Sequence, residues 1–199
     1  MRNVLLSCLL GVLLPIQAFA QSLDAGVVVG NEAALSIAVM PMPYKGSGKG
    51  PDQDISAIIG NDLNRSGQFR SLEAARITDK PTNGADVSFA EWKRLKQDFL
   101  VVGRVVDAGD GNFSIEYELL DVAKQQSLLS LSMPARASNV RRVAHQVADQ
   151  IYQKILGVRG AFDTRIAYVT ASGTGQAIEY RLMVADSDGF NPQTLVRSR

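Results

Sequence analysis

Apolar residues recur at helical spacing most clearly between Asn139 and Leu156. There Val140, Val143, Ala144, Val147, Ala148, Ile151 and Ile155 follow the i, i+3, i+4, i+7 rule. Ser138 is the expected N-cap, Lys154 suits the negative end of the helix dipole, and Gly157 is placed for the left-handed position beyond it. A second helix, from about Asp52 to Ser66, sets Ile55, Ile58, Ile59 and Leu63 on one face, with Asp52 and Asp54 at its positive end and Gly67 as its stop. A short third helix starts at Ser88, where Glu91 completes a capping-box pattern, and it buries Phe89, Trp92 and Leu95.

Between these segments the period changes to two or vanishes. Ile37-Ala38-Val39-Met40 reads as a strand that ends at Pro41, and Phe99 to Val106 is so continuously apolar that it predicts a strand buried on both faces. After the turn Asp110-Gly111-Asn112, residues Phe113, Ile115, Tyr117 and Leu119 alternate with polar ones. Leu129, Leu131 and Met133 alternate again beyond Lys124-Gln125-Gln126. The order is β-α-β-α-β-β-β-α, with the last three strands forming an antiparallel meander. It predicts an α+β domain over residues 35–157, a mixed sheet covered on one face by two long helices and one short helix.

Past Gly157 the pattern shortens. Ile166 to Thr170, Ile178 to Ala185 and Thr194-Leu195-Val196 are predicted strands, separated by Ser172-Gly173-Thr174-Gly175 and by a turn at Asp186-Ser187-Asp188-Gly189. Strands at this spacing resemble the opening of a repeated β architecture, and residues 158–199 contain no further strands to close it.

The first twenty residues bear on compartment. Arg2 is their only charge, Val4 to Leu14 is apolar apart from Ser7 and Gly11, and Ala18-Phe19-Ala20 offers small residues before Gln21. This is the pattern of a secretory signal peptide over residues 1–20. Its apolar run of about 11 residues is short of the roughly 20 that span a bilayer. Cleavage removes Cys8, leaving no cysteine for disulfide or thiol chemistry. It also removes Arg2 from 21 basic residues, which balances the 20 acids. A neutral product of about 180 residues gathers no phosphates, so nucleic-acid binding is not expected. No later segment predicts direct membrane insertion.

Candidate chemistry is sparse. Gly46-Ser47-Gly48-Lys49-Gly50 lies between a strand and a helix, but a phosphate loop needs Gly at Pro43 and a hydroxyl at Gly50, so a connecting loop is expected. Asp186-x-Asp188-Gly189 begins like a calcium loop, yet Asn191 stands where Gly belongs, and a hairpin turn is expected. The single histidine, His145, falls on the polar side of the long helix near Arg141, Arg142 and Asp149, where a solvated side chain is expected. Trp92 and Phe89, at i and i+3, read as core. No pair of carboxylates suggests acid–base work. No catalytic residue, cofactor or metal ligand is therefore assigned, and a binding module is favoured over an enzyme.

Gly157-Val158-Arg159-Gly160-Ala161-Phe162-Asp163-Thr164-Arg165-Ile166-Ala167-Tyr168-Val169 resembles the junction between the two domains of the TolB family, a periplasmic part of the Tol-Pal envelope system. Ser36 through Pro41, Asp54-Ile55, Asp62 through Phe69 and Asp186 through Asn191 extend the likeness in order along the chain. The resemblance implies an N-terminal α+β domain followed by a six-bladed β-propeller. Residues 158–199 then hold only its first strands, without the tryptophan-serine-proline-aspartate-glycine signatures of the repeats, so the chain is expected to be a fragment or a truncated product. It further implies a flexible arm over residues 21–34 that engages the C-terminal domain of TolA. Leu23, Asp24, Val27, Val28, Val29 and Glu32 are the candidate contacts, the valine run adding a strand to a sheet edge. An edge strand of its own domain is the alternative use of Val27 to Val29. The lipoprotein Pal would dock on the propeller, most of which is missing here. The expectation is a periplasmic, non-enzymatic adaptor supporting outer-membrane integrity and division. The alternative is a secreted enzyme or sugar-binding protein whose active surface lies in a missing C-terminal part.

Overall fold

The computed structural model describes residues 34–72 and 77–198. The predicted signal peptide and residues 21–33 of the predicted arm fall outside them.

Among the described residues two sheets are formed. The larger contains β1 (Leu35–Val39), β2 (Tyr44–Lys45), β3 (Phe69–Ser71), β4 (Phe99–Gly109), β5 (Asn112–Asp121) and β6 (Gln126–Arg136). Its order is β3-β1-β4-β5-β6, with β2 added to the far end of β4. β1 runs parallel to both neighbours, pairing Leu35 with Phe69 and Ile37 with Phe99. The meander β4-β5-β6 is antiparallel. The sheet is thus mixed, as expected.

Helix α1 (Ile55–Arg65) leads from β2 to β3, and α3 (Val140–Leu156) follows β6. Asp54 caps α1, its carboxylate accepting the Ala57 N–H at 3.0 Å, while Asp52 instead pairs with Lys49 at 2.8 Å. Ile55, Ile58, Ile59 and Leu63 of α1 meet Val143, Ala144, Val147 and Ile151 of α3 over Ile37, Val101, Ile115 and Leu119 of the sheet. At α3 the expected N-cap moves by one residue. Asn139 takes the position and its side-chain oxygen accepts the Arg136 N–H at 2.7 Å. Gly157 ends the helix with φ 75°, where a side chain would be strained.

The short helix α2 (Phe89–Arg94) is not on that face. Trp92 packs against Ala38, Met40, Leu100, Leu120 and Val122, the opposite side of the sheet. The cause lies in β1 and β4 themselves. Ile37 and Val101 face α1 and α3, so their apolar neighbours Ala38, Leu100 and Val102 need separate cover. The Ser88–Glu91 capping box does not form, since the Ser88 side chain makes no cap bond and only its carbonyl accepts the Glu91 N–H, at 3.0 Å.

The second sheet is the antiparallel ribbon β7 (Arg165–Ser172), β8 (Glu179–Asp186) and β9 (Gln193–Ser198). β7 and β9 are longer than the sequence predicts, while β8 has the predicted length shifted by one residue. Val169, Leu182 and Val196 lie in one cross-strand row, and all three are exposed.

Candidate functional site

The most heavily bonded polar region of the described residues is where α1, α3 and the connection into β7 meet the turn between β8 and β9. The connection is drawn tightly onto α3. Both oxygens of Asp149 accept backbone donors from it, Phe162 N–H at 2.8 Å and Asp163 N–H at 3.1 Å. Gly160 makes this approach possible, because a Cβ there would stand 2.9 Å from the Asp149 Cα. Phe162 is buried edge-on to Tyr152, with ring centroids 5.6 Å apart, and Tyr152 in turn meets Phe69. Arg142 pairs with Asp163 at 3.0 Å.

The β8–β9 turn closes over this connection. Ser187 donates its N–H to the Thr164 carbonyl at 3.0 Å and its hydroxyl to the Phe162 carbonyl at 2.7 Å. Arg65, from α1, reaches the same hydroxyl at 3.3 Å. Asp188 pairs with Arg141 of α3, whose guanidinium lies 4.1 Å from the centre of the Phe190 ring. The expected hairpin turn is therefore present, with its acidic residue used as an anchor.

His145 corrects the sequence reading. It is 2% exposed, not solvated, and its Nδ1 lies 2.5 Å from an oxygen of Asp62, which is itself 1% exposed. The other Asp62 oxygen accepts from Arg65 at 2.8 Å. His145 Nε2 points toward Asp188, 3.8 Å away, and has no hydrogen-bond partner. Periodicity within α3 missed this because the ring sits at the flank of the apolar stripe, where α1 and the β8–β9 turn cover it. A usable signal was Asp62, four residues after Ile58 and three after Ile59, hence a carboxylate on the apolar face of α1.

Burial pushes the Asp188 carboxyl up, but the Phe190 N–H, the Arg141 guanidinium and His145 outweigh it and hold the group below its ordinary range. Beside the network a cleft of about 500 Å³ is lined by Arg142, His145, Asp163, Arg165, Asp186 and Asn191 among others. Such an arrangement joins two sheets through paired charges. It holds no nucleophile next to a base.

The other sequence candidates are dispersed. The glycine-rich segment wraps the Tyr44 ring, and a Cβ at Gly50 would come within 2.9 Å of it, so close packing explains that glycine. Trp92 is core, as expected, and Phe89 packs partly buried beside it. Leu23, Asp24, Val27, Val28, Val29 and Glu32 lie outside the described residues.

The family model for the TolB amino-terminal domain matches residues 24–128. "Tol-Pal system protein TolB" of Xanthomonas euvesicatoria pv. vesicatoria is 60% identical over 97% of this chain, which spans 44% of that relative. The protein of the same name from Xanthomonas campestris pv. campestris is 58% identical over the same shares. The crystal structure of TolB from Acinetobacter baumannii superposes with a TM-score of 0.70 at 32% identity, covering 84% of this chain and 39% of that one. The chain thus spans less than half the length of these relatives. A family model over more than half of its residues, close relatives along nearly all of it and the matching fold agree: the chain belongs to the TolB family of Tol-Pal system proteins.

Proposed function

We propose that this protein is a periplasmic, non-enzymatic adaptor in which residues 21–32 engage the C-terminal domain of TolA. The observation that carries the reading is the 60% identity to Tol-Pal relatives along 97% of the chain, arm included. The signal-peptide pattern before Gln21 supports export. Leu23, Asp24, Val27, Val28, Val29 and Glu32 are the proposed contacts, acting by strand addition. Residues 35–157 form the α+β domain in this reading, and residues 158–199 open the propeller through which Pal would be bound. The adaptor then links the inner-membrane Tol complex to the outer membrane and supports its integrity during division.

β1 begins at Leu35 and has β3 on one side and β4 on the other, so both of its edges are occupied by the domain itself. Deleting Gln21 to Glu32 removes none of the described strands. Calorimetry against the TolA C-terminal domain tests the reading, with circular dichroism as the fold control. Loss of binding in the deletion variant supports the arm, and undiminished affinity places the binding surface on the folded part.

A further inference from the structure

His145 is the single histidine of the chain, and it stands where four segments converge. The charged groups around it come from each of them. Asp62 and Arg65 face it from α1, while Arg141, Arg142 and Asp149 share α3 with it. Asp163 comes from the connection into β7, Arg165 from the start of β7, and Asp186 and Asp188 from the end of β8 and its turn. Most are already committed: Arg65 to Asp62, Arg141 to Asp188, Arg142 to Asp163, and Asp149 to the amides of the connection. The immediate set of Asp62, Asp188, Arg65 and Arg141 is balanced in charge.

With one proton, the imidazole donates from Nδ1 to the Asp62 carboxylate, 2.5 Å away, because an ionised carboxylate only accepts. The Nε2 lone pair is then buried and faces an oxygen of Asp188 at 3.8 Å, acceptor against acceptor. A second proton on Nε2 reverses that contact. It supplies a donor for Asp188 and places a positive ring between two carboxylates from different elements.

We propose that His145 is a proton-operated latch between the helical layer and the second sheet. Protonated, it draws the β8–β9 turn onto α3 through Asp188. Without that proton, the turn is held by Arg141 and Ser187 alone. This inference stands on the junction's geometry and is independent of the proposed TolA contact.

Amide exchange on the full chain, with each rate divided by the intrinsic rate at the same pH, reads the latch directly. The reporters are Asp186 N–H, bonded to the Phe190 carbonyl, and Ser187 N–H, bonded to Thr164. Their protection is expected to fall about tenfold from pH 5.5 to 7.5. Protection of Val143 and Ile151 within α3 should not follow. His145→Gln should flatten the profile. Should circular dichroism show that this buried substitution unfolds the chain, Asp188→Asn decides, because it removes the charge that Nε2 faces from a less enclosed site. A level profile in Asp188→Asn supports the latch. A level profile in the unaltered chain, or an undiminished pH dependence in whichever folded variant decides, overturns it.

Discussion

Asp149 and Gly160 are in mutual contact across the junction: the Asp149 carboxylate occupies the space that any side chain at residue 160 would need, 2.3 Å from the position of its Cβ. The same carboxylate accepts the Phe162 and Asp163 amides. Gly160→Ala must therefore move either the connection or α3, since the Asp149 backbone is also in the way. The expected cost is about 1–3 kcal/mol. Chemical denaturation measures it, and a loss of less than about 0.5 kcal/mol would mean that the connection yields freely.

Trp92 tests the second layer. It is 2% exposed and is the largest side chain closing the face opposite α1 and α3. Trp92→Ala should cost about 3–5 kcal/mol. Its fluorescence is the natural probe for other variants, as it is the one tryptophan present.

Asp188 sets an acid limit on the junction. Its carboxyl is held below the ordinary value of 3.8, so the unfolded chain binds the proton more readily. The stability it contributes is present above that value and is lost as pH falls through the lowered one. Thermal unfolding between about pH 5 and 2.5 should therefore decline less steeply in Asp188→Asn than in the unaltered chain. Identical slopes would remove Asp188 from the account.

The two sheets should differ in protection. The β7 and β9 strands are exposed along nearly their whole length, with Val169 64% and Leu195 59% accessible, whereas β4 is enclosed from Leu100 to Gly103. Amide exchange in residues 165–198 should exceed that in residues 35–157, and protease cleavage should start beyond Gly160. Equal protection up to Val196 contradicts this.

Val28→Pro addresses the arm. Proline removes an amide donor and fixes φ, so it blocks strand addition at that residue. If the arm binds TolA as proposed, affinity should drop by about 1–3 kcal/mol, roughly fivefold to 150-fold. Unchanged affinity in calorimetry would exclude pairing through Val28.

What the residues reveal in advance depends on how far away the deciding partner lies. Val143, Val147 and Ile151 identify α3 from spacing alone, and Gly157 marks its end, because both signals are local. The buried character of Phe99 to Val106 is equally visible, but not which helix covers each side, and α2 lies opposite the other two. β2 is only two residues long and exists because Tyr44 and Lys45 pair with Val105 and Val106, so no local pattern announces it. His145 is the instructive failure. A helical wheel sorts it as polar and therefore outward, while Asp62 and Asp188, 83 and 43 positions away in sequence respectively, turn that outward side into an interior.

The placement of β1 has a kinetic consequence. It is the first described strand of the sheet, yet both of its described partners lie far downstream, and parallel pairing gives it no hairpin with them to fold with. The β4-β5-β6 meander and α3, by contrast, are contiguous and close short loops. Assembly is then expected to run backwards relative to the chain: the late meander and helix supply the template, and the early strand adds to its β4 edge last, making residues 35–39 the slow, rate-setting contact of folding.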